Sequence, residues 1–264
     1  MDKMTLEDYI INPLGKNNAV MSKSLRETLK KQYDMKFHNL LLRENGKIDY
    51  TIYKISNQNI YYYHIKVPSE TVPDFYYDVV FKFYADENIK ENARNLEKYY
   101  VKFYSNDPAF VYTYAYVFRK NGMFVDELAG KMSKQAIKDK PKEKNPDQLK
   151  GYIKTIYFAY IFMKERGLLT KARADAGIEF NGPTLLLSVQ DADSKISERQ
   201  IKGAKISKRK KIMVDKTTLR NIKRITNSNV VQDRLVTTTS TIPKISSIKK
   251  TLKMGRTVKT VKKK

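Results

Sequence analysis

The feature that most constrains this chain is the separation of its aromatic residues from its excess positive charge. Residues 195–264 contain 22 Lys and Arg against three acidic residues, and so carry +19 of the chain's net charge of +24. All 19 Tyr and 11 Phe lie at or before Phe180. Because a hydrophobic core needs large apolar side chains, only the first part of the chain can build one. We therefore expect a globular body (residues 1–180) followed by a basic arm (residues 181–264).

The body is long enough for one domain. About 180 residues can bury a sizeable core, and the absence of Cys means that this core forms without disulfides. The basic arm has few large apolar residues with which to offset the entropy of ordering its chain. We predict that residues 181–264 are extended and become ordered only on assembly with partners.

The pattern of the body predicts an α+β fold. Alternating Tyr, Ile, Val and Phe are typical of strands, and they occur at residues 48–53, 60–67, 75–83 and 99–104. Capping residues, prolines and glycines predict helices at residues 5–11, 24–32, 108–120 and 145–167. A polar helix is also expected at residues 87–97. We expect a tyrosine-rich sheet, mixed or antiparallel, covered mainly by the last two helices. A final strand is expected at residues 185–189.

Residues 108–120 allow two interpretations. Asp107 and Pro108 are typical of the start of a helix, and the Asn121-Gly122 pair is typical of its end. The segment between them is apolar or aromatic nearly all round, which suits a helix buried between layers or against another subunit. The same residue types favour strands. We predict a helix here, with a strand as the alternative.

The sequence offers little for catalysis or metal binding. The chain has no Cys and only two histidines, His38 and His64, so no metal site is expected. It contains no nucleophile motif, complete phosphate-binding loop or dinucleotide fingerprint. We predict that the protein is not an enzyme and uses no cofactor and no small-molecule substrate. His64 lies in a tyrosine-rich strand, which favours a hydrogen-bonded structural role.

Membrane insertion is not expected from the sequence. The longest apolar stretch, residues 155–163, is too short to cross a bilayer. The first ten residues include Asp2, Glu7 and Asp8, which is unlike a secretory signal. We therefore predict that no segment spans a membrane.

The positive charge of the basic arm predicts contact with phosphates. Lys and Arg at this density release counterions from nucleic acid and give salt-sensitive binding that is indifferent to sequence. Because the arm has no aromatic residue to stack on bases, duplex DNA or structured RNA is favoured over single strands. The candidate nucleic-acid-binding residues are Lys205, Lys208, Arg209, Lys210, Lys211, Arg220, Lys223, Arg224, Lys249, Lys250, Lys262, Lys263 and Lys264.

Other roles for the basic arm remain open at this point. It could dock on an acidic protein surface, or serve only as a solvated tail without a specific partner. Its β-branched runs at residues 236–239 and 257–261 would also suit strand addition to neighbouring subunits. The many Tyr of the body are typical of large contact surfaces such as subunit interfaces.

Three stretches of the body resemble structural proteins of tailed bacteriophages with AT-rich genomes. They are TLEDYIINPLGKNNAV at residues 5–20, YDVVFKF at residues 77–83 and YSNDPAFVYTYAYVF at residues 104–118. The resemblance covers roughly residues 5–170, includes no catalytic signature and does not extend to the basic arm.

This resemblance implies a structural component of the virion, near the head-tail junction, as part of the neck, the head-tail connector or the tail. It implies several copies, with other copies of the chain and other virion proteins as partners and double-stranded DNA as a further one. The expected location is the virion, after synthesis in the host cytoplasm. The alternative is a nonspecific nucleic-acid-binding protein, either a DNA-binding protein or a ribosomal-type protein whose tail threads through RNA.

Overall fold

The structure of the chain is a computed structural model, which describes residues 3–14, 19–55, 58–87, 89, 94–141, 143–180 and 188–206. The chain divides into two units, Met1–Ala204 and Lys205–Lys264. The first unit contains the sheet and the helices that pack on it.

A five-stranded mixed sheet forms the centre of this unit. The strands follow the order β4-β3-β2-β1-β5 across the sheet, and neighbours are antiparallel except β5, which runs parallel to β1. The predicted α+β class with a tyrosine-rich sheet is confirmed. The strands are β1 (Tyr50–Ile55), β2 (Ile60–Pro68), β3 (Tyr76–Tyr84), β4 (Tyr100–Ser105) and β5 (Ile178–Phe180).

Short and long helices surround the sheet. Helix α5 packs across β2, β3 and β4, and α2 packs on α5. The α-helices are α1 (Leu6–Ile11), α2 (Ala19–Arg43), α3 (Ala115–Lys120), α4 (Lys134–Lys138), α5 (Lys154–Glu165), α6 (Lys171–Asp175) and α7 (residues 192–206). Short 3₁₀ turns occur at Leu96–Lys98 and Asp126–Lys131, and one π-helical turn occurs at Phe110–Tyr114.

The first two helices show how local signals succeed and fail. Helix α1 is as predicted, because Thr5 and Asp8 form a capping box at its start. Helix α2 begins at Ala19, five residues before the start predicted at Ser24. A capping-box spacing inside a longer helix therefore gave a false start. The helix ends at Arg43, eleven residues beyond the predicted end at residue 32. Asn45 and Gly46 follow it with φ angles of 52° and 71°.

Residues 108–120 are helical, so the predicted helix is confirmed over its strand alternative. The Asp107 side chain caps the start by accepting a hydrogen bond from the amide of Ala109 at 2.9 Å. The chain passes through the π-helical turn before entering α3, and Gly122 ends the segment with φ = 72°. Phe110, Val111 and half of α3 are buried, whereas Tyr112 is 50% exposed. The segment therefore packs through one side, although its sequence is apolar or aromatic nearly all round.

Helix α5 starts nine residues later than the predicted start at Asn145. The side chain of Asn145 stabilises a loop instead of a helix. Its Oδ1 accepts from the amide of Leu149 at 2.9 Å, while its Nδ2 donates to the carbonyls of Leu149 and Thr113. An Asn side chain that satisfies backbone groups in this way competes with helix formation. The predicted end is correct, because Gly167 has φ = 61°.

Most tyrosines of the sheet belong to the core, which differs from the expectation that they serve subunit interfaces. Tyr61, Tyr62 and Tyr63 on β2 are each at most 2% exposed. Their hydroxyls donate to Asp175, Glu127 and the carbonyl of Leu168. Burial raises the pKa of all three phenols. Tyrosine is used here as a large core residue whose polar tip finds an internal acceptor.

The core extends into the segment that sequence reasoning assigned to the basic arm. Val189, Ala192 and Ile196 are buried in the same cluster as the strands and α5, and residues 192–206 form α7. The sequence did not reveal this because three small or medium apolar residues are dispersed among charged ones. Of the strand predicted at residues 185–189, residues 185–187 lie outside the described residues, and Val189 is not in a strand.

Candidate nucleic-acid interface

Of the thirteen predicted nucleic-acid-binding residues, the structure describes one. Lys205 lies near the end of α7 and is exposed to solvent. The other twelve lie outside the described residues: Lys208, Arg209, Lys210, Lys211, Arg220, Lys223, Arg224, Lys249, Lys250, Lys262, Lys263 and Lys264. The structure therefore describes only the start of the candidate interface, residues 188–206, which we call its base.

A buried polar network holds the segment just before α7. We call it the Asp78 network; its members are His64, Asp78, Asn106 and Gln190. One oxygen of Asp78 lies 2.8 Å from His64 Nε2, and the other accepts from the Asn106 side chain at 2.8 Å and from the Gln190 amide at 3.1 Å. The network joins β2, β3, the end of β4 and the approach to α7.

The electrostatics of this network favour an ionised carboxylate. Burial alone would raise the pKa of Asp78, but the hydrogen bond and charge of His64 and the donors of Gln190 and Asn106 outweigh it, so this pKa lies below its ordinary value. Asp78 is only 6% exposed. A buried carboxylate that accepts this many hydrogen bonds holds the backbone that donates to it, here at Gln190, in a fixed position.

A second attachment of α7 is made by cations over an aromatic ring. Lys195 Nζ lies 4.3 Å from the centroid of the Phe75 ring, and Lys202 Nζ lies 5.5 Å from it. Lys202 also donates to the carbonyl of Asp74 at 3.0 Å. Both lysines form ion pairs with Glu198. Contacts of this kind attach a helix through the charged tips and the apolar stems of its lysines.

These attachments change which positive charges are available for phosphates. Lys195 and Lys202 belong to the charge counted for residues 195–264, but their ammonium groups pack against the body. Lys205 is exposed. Ala192 and Ile196, four residues apart on α7, are buried, and two apolar positions in a charged stretch are too few to predict a docked helix.

The rest of the described unit has nearly balanced charge. Residues 1–194 contain 30 Lys and Arg and 25 Asp and Glu, which leaves +5. Several carboxylates are paired on the surface, for example Asp126 with Lys102 at 3.1 Å and Glu179 with Lys54 at 3.4 Å. The concentration of charge that could neutralise phosphates is therefore a property of the C-terminal residues.

The described residues contain neither a metal-binding cluster nor a helix that could span a membrane. Within the described residues, no group of three or more His, Asp or Glu side chains is arranged to hold a metal ion. Of the helices in this part of the chain, none combines the length and the apolar character needed to cross a membrane. His64 is 4% exposed and hydrogen-bonded to Asp78, as its position in a tyrosine-rich strand predicted.

Comparison of the chain with protein-family models, with curated proteins and with solved structures gives no match.

Proposed function

We propose that this chain is a structural component of a tailed-bacteriophage particle, present in several copies near the head-tail junction. In this proposal the basic arm contacts packaged duplex DNA or neighbouring subunits. The body supplies the subunit contacts and holds the base of the arm. The proposed location is the virion, and the proposed partners are other copies of the chain, other virion proteins and double-stranded DNA.

The observation that carries the phosphate-binding part of this proposal is the position of the charge. Residues 207–264 contain 18 Lys and Arg and two Asp, a net charge of +16. They follow directly on α7, which the Asp78 network and Phe75 hold against the sheet. The resemblance of residues 5–20, 77–83 and 104–118 to phage structural proteins supports the particle as the setting.

The experiment compares duplex DNA binding by the full chain and by a chain ending at Ile206, across a series of salt concentrations. Ending the chain there retains α7 and its contacts with the sheet. We expect tight binding by the full chain, with a steep loss of affinity as salt rises, and little binding by the shortened chain. Equal binding by both chains would show that phosphate contact is not a property of residues 207–264.

The particle setting needs its own test. If the chain is a virion component, mass analysis of purified particles from cells that make it should detect it in a fixed ratio to the other structural proteins. Its absence from intact particles would contradict the proposal.

A second candidate is a nonspecific nucleic-acid-binding protein that works outside a particle, including a ribosomal-type protein. The lack of any aromatic residue after Phe180 favours contact with phosphates over base stacking, in RNA as well as in DNA. Sedimentation with ribosomes or bulk RNA at low salt, together with absence from particles, would favour this candidate.

A further inference from the structure

A small cavity with both polar and apolar walls lies where four parts of the first unit meet. Its volume is about 220 Å³, comparable with the space of one large amino-acid side chain. It lies between the loop after β2, the turn that precedes the π-helical segment, the N-terminus of α5 and the inner side of α7. The residues of the cavity that matter here are Glu70, Asp107, Lys154, Thr155, Phe158 and Arg199.

Three polar atoms at this cavity have no hydrogen-bond partner within the part of the chain that the structure describes. They are Oγ1 of Thr155, Oε1 of Glu70 and Nε of Arg199. Thr155 is only 2% exposed, so bulk water does not solvate its hydroxyl. Buried polar groups are nearly always satisfied in folded proteins. Three such atoms around one cavity indicate that a polar molecule belongs there.

The three atoms require different chemistry from a ligand. Oε1 of Glu70 is an acceptor and needs a donor, whereas Nε of Arg199 is a donor and needs an acceptor; the hydroxyl of Thr155 can do either. The other oxygen of Glu70 is already occupied by Lys154 Nζ at 3.0 Å. A ligand that satisfies all three must therefore carry both a donor and an acceptor within a few ångströms.

The charges around the cavity favour a ligand with no net charge. Among the lining residues, Lys154 and Arg199 are cationic and Glu70 and Asp107 are anionic, while Lys36 lies outside the lining with its Nζ 3.9 Å from Oε2 of Glu70. A ligand that carries both a cationic and an anionic group therefore meets an opposite charge at each end. Burial raises the pKa of the Tyr77 phenol, and the nearby Arg199 guanidinium acts in the opposite direction.

The N-terminus of α5 makes one end of the cavity favourable for a negatively charged group. This helix has twelve residues, and its N-cap, Ile153, has no side chain that could accept from the first amides. Unsatisfied amides and the helix dipole favour a negative group at this end. Thr155 lies in the first turn of this helix, and both Thr155 and Arg199 line the cavity. Glu70 supplies the negative wall.

We propose that this cavity binds a small zwitterion of the α-amino-acid class. Its carboxylate lies towards Arg199, the Thr155 hydroxyl and the start of α5, and its ammonium group donates to Oε1 of Glu70. The ring of Phe158 gives the side chain of the ligand an apolar surface. This site goes beyond the function proposed above and does not depend on it.

The first test is thermal unfolding of the full chain in the presence of each common free amino acid. A ligand that binds only the folded state raises the melting temperature, by roughly 5–10 °C when its concentration is about a hundred times its Kd. We expect a saturable rise with at least one amino acid, and none with acetate or methylammonium, which each carry half of the zwitterion. No rise with any amino acid, or an equal rise with acetate alone, would overturn the proposal.

The second test locates the site. Thr155→Val removes the unpartnered hydroxyl at nearly constant shape, so this variant should fold, and Glu70→Gln removes the negative charge that faces the ammonium group. Both should weaken binding of the amino acid found above by at least about tenfold in calorimetric titration. The matched controls are Thr28→Val on the exposed side of α2 and Glu179→Gln on β5, which should leave the affinity unchanged. Undiminished binding by Thr155→Val would overturn the proposed site.

Discussion

The carboxylate of Asp78 accepts a hydrogen bond from the backbone amide of Gln190 at 3.1 Å, across a separation of 112 residues in the sequence. Asp78 lies on a central strand, and Gln190 lies two residues before α7. The contact therefore connects the middle of the sheet with the helix that leads into residues 207–264. Its strength bears on how firmly the base of the basic arm is held.

Asp78→Ala should destabilise the folded chain strongly. The substitution leaves His64, the Asn106 side chain and the Gln190 amide without their shared acceptor in a buried site. Leaving a buried polar group without its hydrogen-bond partner typically costs about 1–3 kcal/mol for each group, and we expect a loss of at least this size in chemical denaturation. The control is Asp126→Ala, whose side chain is 56% exposed, and which should cost about 0–1 kcal/mol. Equal effects of the two substitutions would show that the network contributes little.

Stability should fall when the pH drops below about 5. The pKa values of Asp78, Glu97 and Glu127 lie below their ordinary values, because burial, which would raise them, is outweighed by hydrogen bonds and by nearby cations. A carboxyl whose pKa is lower in the folded state stabilises that state above its unfolded pKa of about 4. That stabilisation is lost as the pH falls through the folded pKa.

Denaturant midpoints measured from about pH 7 down to about pH 3 test this expectation. The decrease should be shallower in Asp78→Asn, because that variant has no carboxylate to protonate at the network. If the denaturant midpoint fell equally steeply with pH in Asp78→Asn and in the original chain, protonation of Asp78 would not contribute to the loss of stability.

The sheet and several helix ends could be predicted because their signals are local. Thr5 and Asp8 form the predicted capping box, and Gly122 and Gly167 end helices through positive φ angles. Asn145 shows the limit of such signals, since the same side chain suits a helix cap and a loop. In the structure, which has the loop, the Asn145 side chain donates a hydrogen bond to the carbonyl of Thr113. That tertiary contact cannot be read from the local sequence.

The base of the candidate interface could not be predicted, because it depends on long-range contacts. Nothing near Asp78 in the sequence indicates that Gln190 will reach it, and nothing near Lys195 indicates that its ammonium group will lie over Phe75. Lysines in a basic stretch are ordinarily solvated. Here two of them cover an aromatic ring, which is a consequence of the fold rather than of their neighbours in sequence.

Phe75→Leu should loosen α7 more than it loosens the sheet. Leucine retains apolar contact but removes the ring beneath Lys195 and Lys202, and cation–π contacts of this kind contribute roughly 0.5–2 kcal/mol. Amide hydrogen exchange at residues 192–204 should therefore speed up by roughly 2- to 30-fold relative to exchange in β2 and β3. Phe83→Leu, which alters a ring packed on Tyr63 at 5.3 Å, is the control. If it changed the exchange of α7 to the same relative extent, the ring of Phe75 would have no special role.

Neutralising the first basic cluster should change the salt dependence of DNA binding. Each phosphate contact contributes about −0.9 to the slope of log K against log salt for duplex DNA. Replacing Lys208, Arg209, Lys210 and Lys211 with Gln should therefore reduce the magnitude of the slope by up to about 3.6. The control replaces four exposed lysines of the body with Gln, namely Lys134, Lys138, Lys140 and Lys144. A slope that responds equally to both sets would assign the contacts to overall charge rather than to the cluster.

Gly177→Ala should destabilise the edge of the sheet where β5 runs parallel to β1. A methyl group at this position would lie 2.8 Å from Cγ2 of Ile52 and 2.9 Å from the carbonyl oxygen of Ala174, closer than atoms normally approach. Relieving such overpacking typically costs about 1–3 kcal/mol, and we expect a loss of this size in chemical denaturation. Gly130→Ala is the matched control, because a methyl group there meets nothing within 4 Å among the described residues. Gly130→Ala should be neutral or slightly stabilising, since alanine restricts the unfolded chain more than glycine does. If both substitutions were neutral, Gly177 would have more space around it than the structure shows.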